Sequence, residues 1–327
     1  MLVVATLSLK GGVGKTTVAL GLAGAAQAHG VRTLVVDLDP QANATVALDA
    51  AATVASVADV LDEPTTAMVH RAIVPSGWGD GVDVLVGAEQ TERHNRPDPG
   101  VAQLGRLSRA LDRLRDPADG HDEPYRLVII DCPPSLGQLT RSALTAAQRA
   151  VLVTDPTMFA VSGVQRAFDA VQTERERGNP DLQPLGVVIN RVRPRNSEHE
   201  FRIGELRELF GPLVFSNVLP DRSAIQQAQG ACLPIQRWDT PGAREASAVF
   251  TMLLGRVLRT SRPRHEPAHP DGTHVEARGL DDHDHDHDHD RNDDDRNGRG
   301  PARDEERRDG RAAAADGAGR ELRSATR

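Results

Sequence analysis

Short runs of β-branched and other apolar residues recur along the chain, and longer stretches with helical spacing separate them. Several runs are apolar at every position, which is typical of strands that a parallel sheet buries on both faces. The runs predict strands at 2–9, 33–38, 82–87, 125–131, 150–155, 185–190 and 212–218. The longer stretches predict helices at 16–29, 100–116, 140–148, 161–177, 198–210 and 242–259. This alternation predicts an α/β fold, a doubly wound and mostly parallel sheet with helices on both faces.

The composition changes abruptly after Arg262, where large apolar residues become rare and the sequence includes "DDHDHDHDHD" at 281–290. A segment of this kind buries too little apolar surface to offset its ordering entropy. We therefore expect two parts, a folded domain over 1–261 and a disordered low-complexity tail rich in His, Asp and Arg over 262–327.

Composition also excludes several classes of protein. Two cysteines are too few for a disulfide framework. No apolar run approaches the ~18 residues of a membrane-spanning helix, and Met1 leads directly into "LVVATLSL" without the basic stretch of a signal peptide. We expect a cytoplasmic protein. Because its formal net charge is −8, any binding to nucleic acid must use a local basic patch.

The stretch "SLKGGVGKTT" at 8–17 joins the first predicted strand to the first predicted helix. Its glycines let backbone N–H groups turn inward on phosphates, Lys15 can reach the β- and γ-phosphates, and the Thr16 hydroxyl can coordinate Mg²⁺. The stretch therefore predicts a nucleotide phosphate site. Its predicted members are Gly11, Gly12, Val13, Gly14, Lys15, Thr16 and Thr17.

This loop departs from the general phosphate-loop pattern, which would need glycine where the chain has Leu9. It also carries an additional lysine, Lys10. Of the 39 basic residues only Lys10 and Lys15 are lysines, and every other one is arginine. A planar guanidinium cannot replace a compact ammonium inside a tight loop, so both lysines are expected to have specific roles.

The loop "KGGVGKTT" resembles the deviant Walker A loop of the ParA/MinD class of P-loop ATPases. The resemblance continues in "VVDLDPQANAT" (35–45), similar to switch I, and in "LVIIDCPPSLG" (127–137), similar to Walker B and switch II. A further family stretch is matched by "PTMFAVSGV" (156–164). The motifs occur in family order up to about residue 255 and are more similar to the ParA branch than to MinD.

The resemblance implies a P-loop NTPase fold and a slow, partner-stimulated ATPase with ATP and Mg²⁺ as cofactors. It implies that Lys10 crosses a dimer interface to the partner subunit's nucleotide, while Lys15 serves its own subunit. Asp39 lies two residues beyond Asp37, so an extended chain directs both side chains the same way. The family assigns to Asp39 the orientation of the attacking water. The predicted catalytic residues are thus Lys10, Lys15 and Asp39.

Two further aspartates, Asp37 and Asp131, end predicted strands beside the loop, where a carboxylate can hold Mg²⁺ or a water bound to it. An aspartate at the end of a strand is more often a turn residue, but the adjoining phosphate loop favours a metal site formed by Asp37, Asp131 and Thr16. The resemblance also implies adenine contacts at Asn190 and near Pro220. The absence of an N-K-x-D guanine signature favours ATP.

The resemblance finally implies an ATP-bound homodimer that binds DNA non-specifically, associates with the nucleoid and is activated by a ParB-like protein. The implied DNA contacts are Arg195 and Arg222. MinD-like membrane attachment is not expected, because the tail offers no helix with basic and bulky apolar faces. Two alternatives remain: a metal-loading P-loop NTPase that uses the His/Asp tail, and a ParA-like positioner of another cellular cargo.

Overall fold

The computed structural model describes residues 1–115 and 123–260. In these residues seven strands form one sheet in the order β3-β4-β2-β5-β1-β6-β7. The strands are β1 (Leu2–Leu7), β2 (Thr33–Asp37), β3 (Ile73–Pro75), β4 (Val82–Leu85), β5 (Leu127–Asp131), β6 (Arg149–Thr154) and β7 (Gln183–Ile189). Neighbouring strands are parallel except for the antiparallel pair of β3 and β4. The predicted fold class is therefore confirmed.

Helices cover both faces of this sheet, since successive side chains of β1 enter two separate apolar cores. Val3, Ala5 and Leu7 belong to one core, and Leu2 and Val4 belong to the other. The first core lies under α3 (Val57–Asp62), α4 (Thr66–Ala72), α6 (Arg106–Arg113), α7 (Gln138–Ala146) and α8 (Ala160–Arg177). The second lies under α1 (Lys15–Ala28), α10 (Ser223–Gly230) and α11 (Pro241–Arg259). Three further helices are α2 (Asn43–Ala47), α5 (Val101–Leu104) and α9 (Ser197–Phe210).

The helix that follows the phosphate loop, α1, is built from small residues that allow close packing. Gly21 faces the ring of Phe250 in α11, and a Cβ added there would lie 2.2 Å from the ring. At its end, the N–H of Gly30 donates to Gln27 O and the N–H of Val31 donates to Ala26 O. Gly30 has φ +64, which suits the left-handed cap that glycine forms most readily.

Several details differ from the prediction, and helices α2, α3, α4 and α10 were not predicted. The segment 212–218 is not a strand; it overlaps a 3₁₀ turn at Gly211–Leu213 and pairs with β7 only through the isolated bridge of Val187 with Val214, because Pro212 has no N–H for a ladder. The predicted helix at 100–116 is divided at Gly105 into α5 and α6. The edge strand β3 was not predicted, since its three residues end in a proline.

The predicted tail over 262–327 lies outside the described residues, and so does the proposed boundary after residue 261. The last described helix, α11, ends at Arg259. In the described part of the chain, no helix combines the length and the apolar character needed to cross a bilayer.

Candidate nucleotide-binding site

The phosphate loop and the aspartates predicted for metal binding lie at the carboxyl ends of three adjacent parallel strands. β1 carries the phosphate loop and pairs with β5, and β5 pairs with β2. In that register Asp37 at the end of β2 lies directly opposite Asp131 at the end of β5. Ligand sites of open α/β sheets occur at this edge, so the topology brings together residues far apart in sequence.

The phosphate loop has the backbone shape that its glycines predict. Gly12 (φ +78) and Gly14 (φ +93) both adopt left-handed conformations. Lys15 is the first residue of α1 and is 7% exposed. No side chain caps the start of α1, which leaves the N–H groups of its first turn available to an anion.

Asn190, which follows β7, holds this loop by a hydrogen bond to its backbone. Its Nδ2 donates to Val13 O over 2.8 Å, and the side chain is buried. A Cβ added at Gly14 would lie 2.2 Å from the same Nδ2. The Asn190 side chain can therefore occupy this place only if residue 14 is glycine. The structure therefore gives Asn190 a role in holding the loop, and its contact with adenine stays a prediction. Pro220, the other predicted base contact, forms a parallel bridge with Val192 at this edge.

The two aspartates predicted for metal binding are fully buried and lie close together. Burial raises the pKa of Asp37 to about 6, although hydrogen bonds from Thr45 oppose the rise. Burial and the nearby Asp37 carboxylate raise the pKa of Asp131 to about 8, although the Thr16 hydroxyl and the Lys15 ammonium oppose the rise. Oδ1 of Asp37 and both carboxylate oxygens of Asp131 have no hydrogen-bond partner in the described structure.

Buried oxygens of this kind suit a hard divalent cation, which would compensate the two carboxylates and replace the missing hydrogen bonds. Within 1–115 and 123–260, no group of three His, Cys, Asp or Glu side chains is arranged so that it could hold a metal ion by itself. Mg²⁺ usually binds through one or two carboxylates together with waters and substrate phosphates. Asp37, Asp131 and Thr16 therefore fit Mg²⁺ bound beside a nucleotide, and do not fit an all-protein cage.

Asp39 lies in the same site and also stabilises a turn. Its Oδ1 accepts a hydrogen bond from the N–H of Gln41 over 3.0 Å, and the residue is 7% exposed. Its charge contributes to the raised pKa of both Asp37 and Asp131, which places it within electrostatic reach of them. The turn role and the predicted role in orienting water are therefore geometrically compatible.

Lys10 contacts residues that the sequence did not single out. Its Nζ lies 3.0 Å from each carboxylate oxygen of Asp155 and 3.1 Å from Oγ1 of Thr157. Its side chain is 40% exposed. Asp155 directly follows β6, so the only sequence signal was the one used for Asp37 and Asp131, an aspartate at the end of a strand. The cross-subunit role of Lys10 stays a prediction.

The two predicted DNA contacts have different surroundings. Arg195 is exposed in the loop between β7 and α9 and has φ +58. Arg222, at the start of α10, forms an ion pair with Glu245, with Nε and a terminal nitrogen at 2.9 and 2.8 Å from Oε2. Arg195 is therefore presented to solvent, whereas Arg222 must exchange an existing partner to bind a phosphate.

Comparison with known proteins also indicates a P-loop ATPase. A family model described as an AAA domain matches residues 1–184. The chromosome partitioning protein ParA of Caulobacter vibrioides is 32% identical over 273 residues, which cover 81% of this chain and 97% of that protein. The sporulation initiation inhibitor protein Soj of Bacillus subtilis is 30% identical over 253 residues, which cover 76% of this chain and 96% of Soj.

Solved structures extend the comparison to bound ligands. Cobyrinic acid a,c-diamide synthase from Mycobacterium smegmatis, with bound ADP and magnesium, is 26% identical and covers 82% of this chain and 100% of its own, with a TM-score of 0.65. The same enzyme has been solved with an ATP analogue and magnesium, which agrees with the predicted cofactors. Since the family model matches more than half of the chain and both relatives align along almost their full length, this chain belongs to the ParA/MinD class of P-loop ATPases.

Proposed function

We propose that the protein is a ParA-type ATPase in which Mg²⁺-dependent ATP hydrolysis controls subunit pairing and non-specific DNA binding. Lys15 and the free N–H groups of α1 bind the phosphates within one subunit. Asp37, Asp131 and Thr16 hold Mg²⁺, which neutralises charge that develops on the phosphates. Asp39 orients the attacking water. Lys10 supplies a cation to the nucleotide of the other subunit, so hydrolysis depends on pairing.

The observation that carries this proposal is the outward face of the phosphate loop. Gly11 and Gly12 are exposed, and a Cβ added at Gly11 would meet no described atom within 4 Å. Met158 and Phe159, which directly follow the Lys10 partner Thr157, are 69% and 63% exposed. Exposed large apolar side chains close in sequence to the partner of a partly exposed lysine favour an interface with a second protein surface. The loop therefore has an inner face for its own nucleotide and an outer face for a partner.

The proposed DNA contact uses arginines at the β7 end of the sheet. Arg195 presents its charge to solvent, and Arg191 in the same loop is also exposed. Guanidinium groups that contact phosphates bind DNA without reading its sequence, and such binding weakens with salt. Because it binds DNA of any sequence, the ATP-bound dimer is expected in the cytoplasm, on the nucleoid. A ParB-like protein stimulates the slow ATPase and releases the dimer, which drives partition of a plasmid or chromosome.

A DNA co-sedimentation assay with ATP, ADP and no nucleotide tests the proposal. We expect wild type to sediment with non-specific DNA only in ATP, and Lys10→Ala to remain in the supernatant under all three conditions. The salt concentration that halves binding should depend little on the DNA sequence. Equal DNA retention in the three nucleotide states would contradict the proposed switch.

A further inference from the structure

Thr45, within the stretch similar to switch I, makes two hydrogen bonds to one carboxylate oxygen of Asp37. The backbone N–H and the hydroxyl of Thr45 both donate to Asp37 Oδ2 over 2.7 Å. Thr45 belongs to the five-residue helix α2, eight residues beyond Asp37. One oxygen of the carboxylate is thus fully engaged by a single residue of the following segment.

The direction of the Thr45 hydroxyl is fixed by a third contact. The N–H of Gly87 donates to Thr45 Oγ1 over 2.8 Å, so the hydroxyl accepts there and directs its own hydrogen to Asp37. Gly87 also packs against the carboxylate, since a Cβ added there would lie 2.7 Å from Asp37 Cγ. The strand end of β4 and the helix α2 therefore restrict rotation of the Asp37 side chain.

This arrangement leaves a defined set of oxygens for a cation. With Oδ2 engaged by Thr45, Asp37 Oδ1 is buried without a hydrogen-bond partner among the described residues. Both carboxylate oxygens of Asp131 are also buried without a hydrogen-bond partner among the described residues. Asp37 and Asp131 lie opposite each other in the sheet register. Restricting the carboxylate in this way lowers the entropy lost when it binds a metal or a metal-bound water.

We propose that Thr45 is a positioning residue for the metal site, with Gly87 as its support: it holds Asp37 so that Oδ1 is directed to Mg²⁺ or to a water of Mg²⁺. This inference rests on the proposed function only in assigning Mg²⁺ to Asp37 and Asp131. It requires neither subunit pairing nor DNA binding. It also places the metal under the influence of switch I, because a movement of α2 that withdraws Thr45 releases the Asp37 carboxylate.

The test measures metal affinity with Mn²⁺ as a paramagnetic substitute for Mg²⁺, by titration of the full-length protein in saturating ADP and detection by electron paramagnetic resonance. Thr45→Val removes the hydroxyl donor while keeping the backbone donor and the side-chain shape. We expect it to weaken Mn²⁺ binding by about 10-fold, the lower range for the loss of a group that supports a metal ligand. Thr45→Ser, which keeps the hydroxyl, should remain within about 3-fold of wild type.

A matched control is Thr53→Val, because the Thr53 hydroxyl donates to Arg71 O, outside the site. It should leave Mn²⁺ affinity unchanged, and all variants should bind ADP equally in EDTA. Equal Mn²⁺ affinity of Thr45→Val and wild type would overturn the inference, and so would an equal loss in Thr45→Ser. Failure of wild type to bind Mn²⁺ with ADP would overturn the metal assignment as well. Failure of the DNA-binding switch, by contrast, would leave these Mn²⁺ affinities unaffected.

Discussion

The two lysines of the phosphate loop are five residues apart and face opposite surroundings. Lys15 is 7% exposed and begins α1 beside the buried aspartates. The Lys10 side chain is 40% exposed and contacts Asp155 and Thr157, which follow a different strand. One short loop therefore serves an inner phosphate site and an outer surface. This difference predicts that nucleotide binding and the proposed subunit association can be separated by single substitutions.

The largest effect is expected at the inner lysine. Lys15→Ala removes the buried ammonium assigned to the proposed phosphate site, and charge-assisted contacts of this kind are strong in a partly dry site. We expect ATP affinity to fall by about 100-fold, which corresponds to about 2.8 kcal/mol. Isothermal titration with a slowly hydrolysed ATP analogue measures the change. Lys10→Ala is the comparison variant, and an equal loss in both would remove the distinction between the two lysines.

An intermediate effect is expected from glycines on the two faces of the loop. Gly11 is in open space and outside the left-handed region, so Gly11→Val should keep ATP affinity within about threefold of wild type. The introduced valine side chain would project from the outer face of the loop, so ATP-dependent pairing of two subunits should weaken by about 10-fold or more. Light scattering coupled to size-exclusion chromatography reads the dimer fraction.

Gly14→Val is the contrasting variant, because Gly14 has φ +93 and faces the Asn190 amide. We expect it to weaken ATP binding by about 10-fold and to lose about 2 kcal/mol of unfolding free energy through backbone strain and steric overlap. The comparison would fail if Gly11→Val paired normally in ATP, or if Gly14→Val bound ATP as wild type does.

The smallest effect is expected at the ion pair that holds Lys10. Because the lysine is partly exposed, Asp155→Asn should lower the free energy of unfolding by only about 0.2–1 kcal/mol. ATP affinity should not change, since Lys15 and its surroundings are untouched. Urea denaturation and nucleotide titration measure the two quantities. A loss of ATP affinity comparable to that of Lys15→Ala would show that the two faces of the loop are not independent.

The parts of the site that could be predicted are those encoded in short stretches. A strand, a glycine-rich loop and a helix in direct succession predicted the position of Lys15, and aspartates at strand ends predicted the Asp37 and Asp131 pair. The family and the fold class predicted from these stretches are confirmed. Such features depend on local backbone shape and on the rule that parallel strands end at one edge.

The parts that could not be predicted depend on contacts between distant residues. Lys10 meets Asp155 across 145 residues, and Asn190 meets Val13 across 177. No local pattern ranks these partners above other polar residues of the same edge. Thr45 lay within a recognised motif, but its orientation toward Asp37 depends on Gly87, which follows a different strand. The wrong strand prediction at 212–218 has the same origin, since an apolar run does not reveal whether a ladder partner is in reach.

The edges of the sheet have a consequence for behaviour at high concentration. At one edge, β3 (Ile73–Pro75) is short and ends in a residue without an N–H. At the other, β7 is partly covered by the bridge that joins Val187 to Val214, and a second bridge joins Val192, beyond the end of β7, to Pro220. Exposed, long edge strands are the usual templates for aggregation between chains. If the proposed DNA binding crowds many copies together, these short and partly covered edges would protect them against aggregation by strand pairing.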